Sequence, residues 1–361
     1  MPLLSIIIPV FNHPKELAIM LDSILASTFQ NWELLAIDDG SEQETYTLLE
    51  QYVKRDERIH FIKRNKYPKG AQTCRNMGIE RAQGKYLIFF DSDDHITPYC
   101  LQQRIEGIKE RPDLDFMVFP SGSYTETEHF TKTGPYLFGY PIYKNDLKAF
   151  IHRTLPFTVW TNIYRTEILK QKKLSWDTNL LSFQDSDYNI QSLLHGLHYD
   201  YAIAMPDYGY RTSNNTDSIS KKIVSAAHKQ SHIYFLNKQY NEIQRVYGKK
   251  YNKALYLCAL YIYTFVMSKG IDISFANQIA EIVSNHDKIR GILLKTKIRI
   301  SQLLSIILPP KLARQLPMPI FLLRKWWIEH NILKRIKKTK TWNIDKNSNK
   351  YETTFNHNCN I

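Results

Sequence analysis

Apolar residues along the first 120 positions come in short blocks separated by polar clusters. Leu3 to Val10 is a nearly continuous apolar run rich in isoleucine, closed by Asn12, His13 and Pro14. Such a run predicts a strand buried on both faces of a parallel sheet. Pro14 can open a helix to about Ser27, with Leu17, Met20, Leu21, Ile24 and Leu25 on one face. The alternation then repeats. Strands are predicted at Glu33–Ile37, Ile59–Ile62, Tyr86–Phe90 and Asp115–Phe119. Helices are predicted at Glu42–Tyr52, at Gly70–Ala82 and from Pro98 onward. Strand and helix in turn, with short connections, predict an α/β fold with an open, mostly parallel sheet flanked by helices.

Later segments are less regular. Tyr124 to Lys144 reads as a loop region suited to an acceptor site, and Trp160–Leu169 restarts regular structure. Phe183–Leu194 reads as a helix, Tyr201–Met205 as a strand and Tyr208–Ser220 as a polar loop. Strand signals then cease. The pattern divides the chain into residues 1–220, a smaller, mainly helical, basic region at 221–342 and a polar tail at 343–361.

Composition narrows the classes. With 361 residues and 43% hydrophobic content the chain has material for a substantial core. The net charge of +13 calls for an anionic partner: nucleic acid, an anionic membrane surface or a phosphorylated substrate. The basic residues crowd between Arg290 and Lys340 rather than on the α/β half, and no nucleic-acid motif appears, so nucleic acid is excluded. Cys74, Cys100, Cys258 and Cys359 have no zinc-ligand spacing and read as free thiols of a reducing compartment. The first ten residues read as a strand rather than a signal peptide, and no apolar run reaches 18 residues, so no membrane-crossing helix is predicted. The expectation is a cytoplasmic protein.

Three polar clusters fall where strands end: Asn12, Asp38-Asp39 and Asp91 to Asp94. Ligands of open α/β sheets bind beyond those carboxyl ends. A single Asp/Ser cluster could merely cap the next helix, but several on one sheet edge point to a site. Asp91 and Asp93, one residue apart after an apolar strand, project to one side. They suit a hard divalent cation shared with a diphosphate. Asp39 can accept a hydrogen bond from a base N–H. Arg75, on a helix near the same edge, suits phosphate or base recognition, or forms a surface salt bridge. Asp185 and Asp187 open a later helix and are candidates for the general base.

Together these segments resemble a family 2 glycosyltransferase of the GT-A fold. The similarity lies in Ser5-Ile-Ile-Ile-Pro-Val-Phe-Asn12, Ala36-Ile-Asp-Asp-Gly-Ser41, Ala71 to Gly78 with Arg75-Asn76, and Gly84-Lys-Tyr-Leu-Ile-Phe-Phe-Asp-Ser-Asp-Asp94. Weaker matches follow at Val159 to Arg165 and Phe183 to Asp187. The resemblance spans roughly residues 3–220. It implies inverting transfer of a hexosyl or N-acetylhexosaminyl group from a nucleoside-diphosphate sugar, usually a UDP-sugar. The acceptor would be a hydroxyl of a glycan or lipid-linked saccharide in bacterial surface polysaccharide, capsule or lipooligosaccharide synthesis. It implies that Asp39 contacts the base and that backbone near Pro9 and Phe11 lines its pocket. Arg75 would assist the nucleotide. Asp93 would bind Mn²⁺ or Mg²⁺ most directly, with Asp91 near ribose and metal, and Ser92 completes the triplet. By position Asp185 is the base, although the family's usual Glu-Asp is Gln184-Asp185 here. Arg211 would contact phosphate from a loop that closes over the diphosphate in some relatives. The other reading is a catalytically silent relative that binds sugar nucleotides as a partner protein.

The resemblance stops near residue 220. Beyond it, Lys and Arg mixed with Leu, Ile, Trp326 and Trp327 suit attachment to an anionic membrane on its inner face, or a helical subdomain with a solvated basic side.

Overall fold

The structure, a computed structural model, describes residues 1–124, 137–211, 225–266, 272–309, 312–313 and 317–343. The first apolar run is strand β1 (Leu4–Val10), buried throughout. Helix α1 (Pro14–Leu25) follows and turns Leu17, Met20, Leu21 and Ile24 inward. Next come β2 (Trp32–Asp38), α2 (Gln43–Arg55), β3 (Ile59–Lys63), α3 (Ala71–Arg81) and β4 (Tyr86–Phe89). This is the expected order, with ends shifted by a few residues. The chain continues through β5 (His95–Ile96), α4 (Cys100–Glu110), β6 (Phe116–Val118), β7 (Ser121–Tyr124) and α5 (Asp146–Ile151). Then follow β8 (Asn162–Arg165), α6 (Thr166–Gln171), α7 (Gln184–Leu194), β9 (Tyr199–Tyr201) and β10 (Tyr208–Arg211).

Among the described residues, seven strands form one sheet in the order β3-β2-β1-β4-β8-β6-β9, and three form a second, β5-β10-β7. β1 lies between β2 and β4 and is parallel to both. The chain therefore moves outward from β1 in one direction and resumes on its other side with β4. Such a reversal opens a crevice at the carboxyl ends of the strands, where α/β sheets hold ligands.

The large sheet is mostly parallel, as expected, with β8 antiparallel to both β4 and β6. Other expectations are corrected. The strand expected at Tyr201–Met205 sits earlier, at Tyr199–Tyr201. Its register follows from pairing with β6 and from two tyrosines on one face: Tyr199 stacks on Phe116, and both hydroxyls donate to Asp146 Oδ2 at 2.7 Å. The start of the expected polar loop is strand β10, because Tyr208 to Arg211 pair with Ser121 to Tyr124 of β7. Lys144 borders a helix, α5, capped by Asn145, whose side chain accepts from the Lys148 N–H. Residues 125–136 of the expected loop, and 212–224 including the sequon and the expected division near 220, lie outside the described residues.

After 225 the described residues are helical: α8 (Ala226–Tyr247), α9 (Asn252–Val266), α10 (Ile273–His286), α11 (Lys288–Leu304), α12 (Pro319–Ile336) and the short α13 (Lys340–Asn343). Helix α8 packs on the α/β half through specific polar bonds. Its Ser231 hydroxyl accepts from the Leu181 N–H at 2.9 Å, and Lys238 reaches Asp177 and Asp187, each at 2.8 Å.

One fully buried ion pair joins the two sheets. Arg104 of α4 donates Nε and Nη2 to the two oxygens of Asp207, at 2.9 and 2.6 Å, and Nη1 to the Trp160 carbonyl at 2.8 Å. Asp207 immediately precedes β10, so this fork fixes where Tyr208 and Arg211 start. A buried pair adds little over a well-packed apolar substitute, but losing one partner strands the other charge. Arg104→Ala or Asp207→Ala is therefore expected to cost about 3–5 kcal/mol, read as a lower urea midpoint with an unchanged slope.

Candidate active site

The carboxyl ends of β1, β2 and β4 build one wall of the crevice. After β1 the chain turns sharply, with Asn12 and His13 both in the left-handed region at φ 56°. Asn12 accommodates this because its short amide bonds locally. Its N–H donates to the Ser41 hydroxyl and its Oδ1 accepts from the Glu42 N–H, both at 2.9 Å. The loops after β1 and β2 are thereby stitched together, with the backbone of Pro9 to Phe11 along the seam. Phe11 is exposed, and the Lys69 ammonium lies 3.7 Å from its ring centre.

Asp38 and Asp39 divide their tasks. Asp38 builds the turn, accepting from the N–H groups of Gly40 at 2.8 Å and Ser41 at 3.1 Å. Asp39 caps no helix. Its Oδ1 accepts from Arg64 Nε at 2.6 Å and the Gly70 N–H at 3.0 Å. Those bonds fall on one oxygen and leave Oδ2 without a protein partner among the described residues.

Arg75 is a buried residue rather than the partner of a surface salt bridge. It projects from α3, lies 4.4 Å from the Trp176 ring centre and donates Nη2 to Asp91 Oδ1 at 2.5 Å. Its neighbour Asn76 fixes the Trp176 backbone with two reciprocal bonds, at 2.9 and 2.8 Å. Gln72, also on α3, donates to the Leu180 carbonyl. Helix α3 thus clamps the segment that leads into α7.

The acidic cluster after β4 is graded. Asp91 is half-buried, with Oδ2 left unpartnered by protein among the described residues. Ser92 is half-buried and Asp93 is exposed at the turn. Protein crowding around the carboxylate, reinforced by the charge of Asp91, raises the Asp93 pKa. Asp94 is buried, accepting from the Tyr208 hydroxyl at 2.6 Å and the Arg211 N–H at 2.7 Å. Burial, then Asp93 and Asp91, holds its pKa well above the usual carboxylate range. Arg211 aims its guanidinium at Glu16 of α1, 2.9 Å away.

This donor set can be weighed against a divalent cation. Among the described residues no three His, Cys, Asp or Glu side chains converge on one point. Two neighbouring carboxylates that repel each other, one with a free oxygen, nevertheless fit a hard cation that takes most of its ligands from phosphate and water.

The opposite wall is the start of α7. Phe183 precedes it in the left-handed region at φ 65°, and Asp185 sits in the first turn, half-buried. Burial pushes the Asp185 carboxyl up to about 6, against the pull of the Arg75 guanidinium; Asp91 adds to the rise and Arg153 opposes it. Asp187, the other base candidate, is buried and held by Lys238 and Gln239, each at 2.8 Å. It is an anchor of α7 on α8.

Asp39, Arg75, Asp91, Asp93 and Asp185 are therefore linked through α3 and the end of β4, and the Arg211 N–H joins them through Asp94. Sequence reasoning missed Trp176, Glu16, Asp94 as a bonded group, and Arg153. Arg153 has φ 61° and lies 3.7 Å from the Phe183 ring centre. It bonds the Ser186 hydroxyl and has no carboxylate partner among the described residues. No local pattern marks it, because its neighbours come from α7, α8 and α9. The run of acids to Asp94 was a visible signal for that residue.

Residues 5–171 match the family model described as Glycosyl transferase family 2. The chain carries a family 2 glycosyltransferase domain. It is 29% identical over 197 residues to the glycosyltransferase EpsJ of Bacillus subtilis, covering 53% of this chain and 56% of that protein. It is 38% identical over 112 residues to the putative teichuronic acid biosynthesis glycosyltransferase TuaG of the same organism, covering 30% and 43%. The matches thus span about half the length of these relatives. The fold of the chain is also that of residues 1–349 of S. aureus TarS, solved in complex with UDP-GlcNAc. That likeness has a TM-score of 0.62 and 17% identity and covers 92% of each chain.

The electrostatics of the crevice can be read directly. Removing a nearby cation favours the neutral carboxyl, so Arg153→Met should raise the Asp185 midpoint above about 6. A carboxyl ¹³C titration of the folded protein checks this; an unmoved midpoint would show that the two charges do not interact.

Proposed function

We propose that the protein is an inverting glycosyltransferase. It moves a hexosyl or N-acetylhexosaminyl group from a UDP-sugar to a hydroxyl of a glycan or lipid-linked acceptor in bacterial surface-polysaccharide synthesis. The observation that carries this reading is the gathering of Asp185, at the start of α7, with Arg75 and the Asp91 that follows β4, the Arg75 guanidinium bonding Asp91 and lying within electrostatic reach of Asp185. The family 2 domain and the TarS-like fold support it, and the binding of UDP-GlcNAc by TarS supports a uridine donor. The name of TuaG supports a surface-polymer pathway.

In this reading the uracil N–H donates to the spare oxygen of Asp39, beside the backbone of Pro9 and Phe11. Asp91 and Ser92 face the ribose and diphosphate, and Arg75 holds Asp91 in register with the phosphate charge. Asp93 and Asp91 would hold Mn²⁺ or Mg²⁺, which offsets the negative charge of the diphosphate. Asp185 takes the proton of the acceptor hydroxyl as its oxygen attacks the anomeric carbon from the face opposite the leaving group. The bond from that carbon to the diphosphate oxygen breaks, UDP departs and the configuration inverts. Arg211 exchanges Glu16 for phosphate when donor binds. The protein works on the inner face of the plasma membrane, where lipid-linked acceptors are reached.

Because Asp185 acts ionised, kcat/KM should fall about tenfold per pH unit below pH 6. Asp185→Asn should keep UDP binding and lose transfer by about 10²-fold or more. Donor binding and turnover are to be measured over a panel of nucleotide sugars with and without Mn²⁺, on wild type and Asp93→Ala. Metal-dependent turnover lost in Asp93→Ala is expected. Donor binding without turnover, in wild type as in Asp185→Asn, would favour the silent binding protein instead.

A further inference from the structure

Helix α11 has two apolar faces, and only one of them is used. Gly291, Leu294, Ile298 and Ser301 face the protein. Gly291 meets Ser284 of α10 so closely that a Cβ there would fall 2.2 Å from its hydroxyl. That contact leaves the helix no room to roll. On the other side Ile289, Ile292, Leu293, Ile300 and Leu303 are exposed, and Ile306 and Ile307 just beyond the helix continue the series, with exposures of 42–79%. At 3.6 residues per turn the five helical positions fall within an arc of about 100°, opposite the buried face. An apolar stripe of this width is normally covered.

The charges beside the stripe say what covers it. Lys288, Lys295 and Arg299 border one edge; Arg290 and Lys297 border the other. Among the described residues the first three carry no ion pair. From Lys288 to Ile328 the chain has nine Lys and Arg and no Asp or Glu. Trp326 and Trp327 of α12 are also exposed, and Lys297 ties the approach to α12 by donating to the Pro317 carbonyl. Cations on both edges of an apolar stripe match the layered chemistry of an anionic bilayer surface: acyl chains below, phosphates above. No described helix is long and apolar enough to cross a membrane.

We infer that α11 is an interfacial helix. It lies flat on an anionic phospholipid surface, with the Ile289–Leu303 stripe sunk to the acyl boundary and Lys288, Lys295 and Arg299 on lipid phosphates. The inference goes beyond the proposed sugar transfer in naming the contact, and shares with it only the membrane location. Vesicle binding and nucleotide binding are separate readouts, so either can fail alone.

The test is co-sedimentation of the full chain with vesicles of phosphatidylcholine containing 30% phosphatidylglycerol, or of phosphatidylcholine alone. Wild type should bind the anionic vesicles at least about tenfold more tightly, and added salt should weaken binding. Ile292→Glu with Leu303→Glu should abolish it. Lys295→Gln with Arg299→Gln should weaken it roughly 25-fold, at about fivefold per cation, and flatten the salt dependence. These substitutions are on the exposed face; circular dichroism and UDP affinity matching wild type would show that the fold is kept. The inference is overturned if wild type ignores anionic vesicles or if the Glu pair binds them equally well. It is also overturned if light scattering finds a dimer that the Glu pair dissolves while vesicle binding is absent, which would make the stripe a surface between copies.

Discussion

The candidate site is organised around a single buried guanidinium. Arg75 has two acids within electrostatic reach, Asp91 at the end of β4 and Asp185 at the start of α7, and a tryptophan face beneath it. Two carboxylates facing one crevice would otherwise repel, and one would take a proton. A fixed cation within reach of both lets the two acids approach. Arginine suits this better than lysine, because its plane can stack on an indole while its edge bonds a carboxylate.

The same helix sets the rest of the geometry. Three inward positions of α3, Gln72, Arg75 and Asn76, grip the segment before α7, the β4 aspartate and the Trp176 backbone. The Gly70 N–H just ahead of α3 steadies Asp39. The proposed base-binding and proton-accepting ends of the crevice are therefore referenced to one rigid rod rather than to separate loops.

How much of this could be read from the chain alone depends on the range of the forces involved. β1, β2 and β4 were legible because strands covered on both faces must be continuously apolar, and the acids that end them were legible by contrast. Asp39 and Asp91 could be picked out because each follows such a run, Arg75 because its helix lies near the same sheet edge, and Asp185 because it opens a later helix at the place the family resemblance marks. β8, β9 and β10 were not legible in direction or position, since their registers come from distant partners: Tyr199 on Phe116, Tyr208 on Trp160. Arg153 was invisible for the same reason; its surroundings are assembled from helices far apart in sequence. The separate roles of Asp185 and Asp187 needed Lys238, some fifty positions away.

That last contact bears on how such a chain can change over evolutionary time. The residue two places after the proposed base is bolted to α8, beyond the family 2 segment. A recombination that exchanged the helical half for another would cut this bolt and leave an acid buried without its lysine. Exchange of the helical region is therefore costly unless the newcomer places a cation against Asp187.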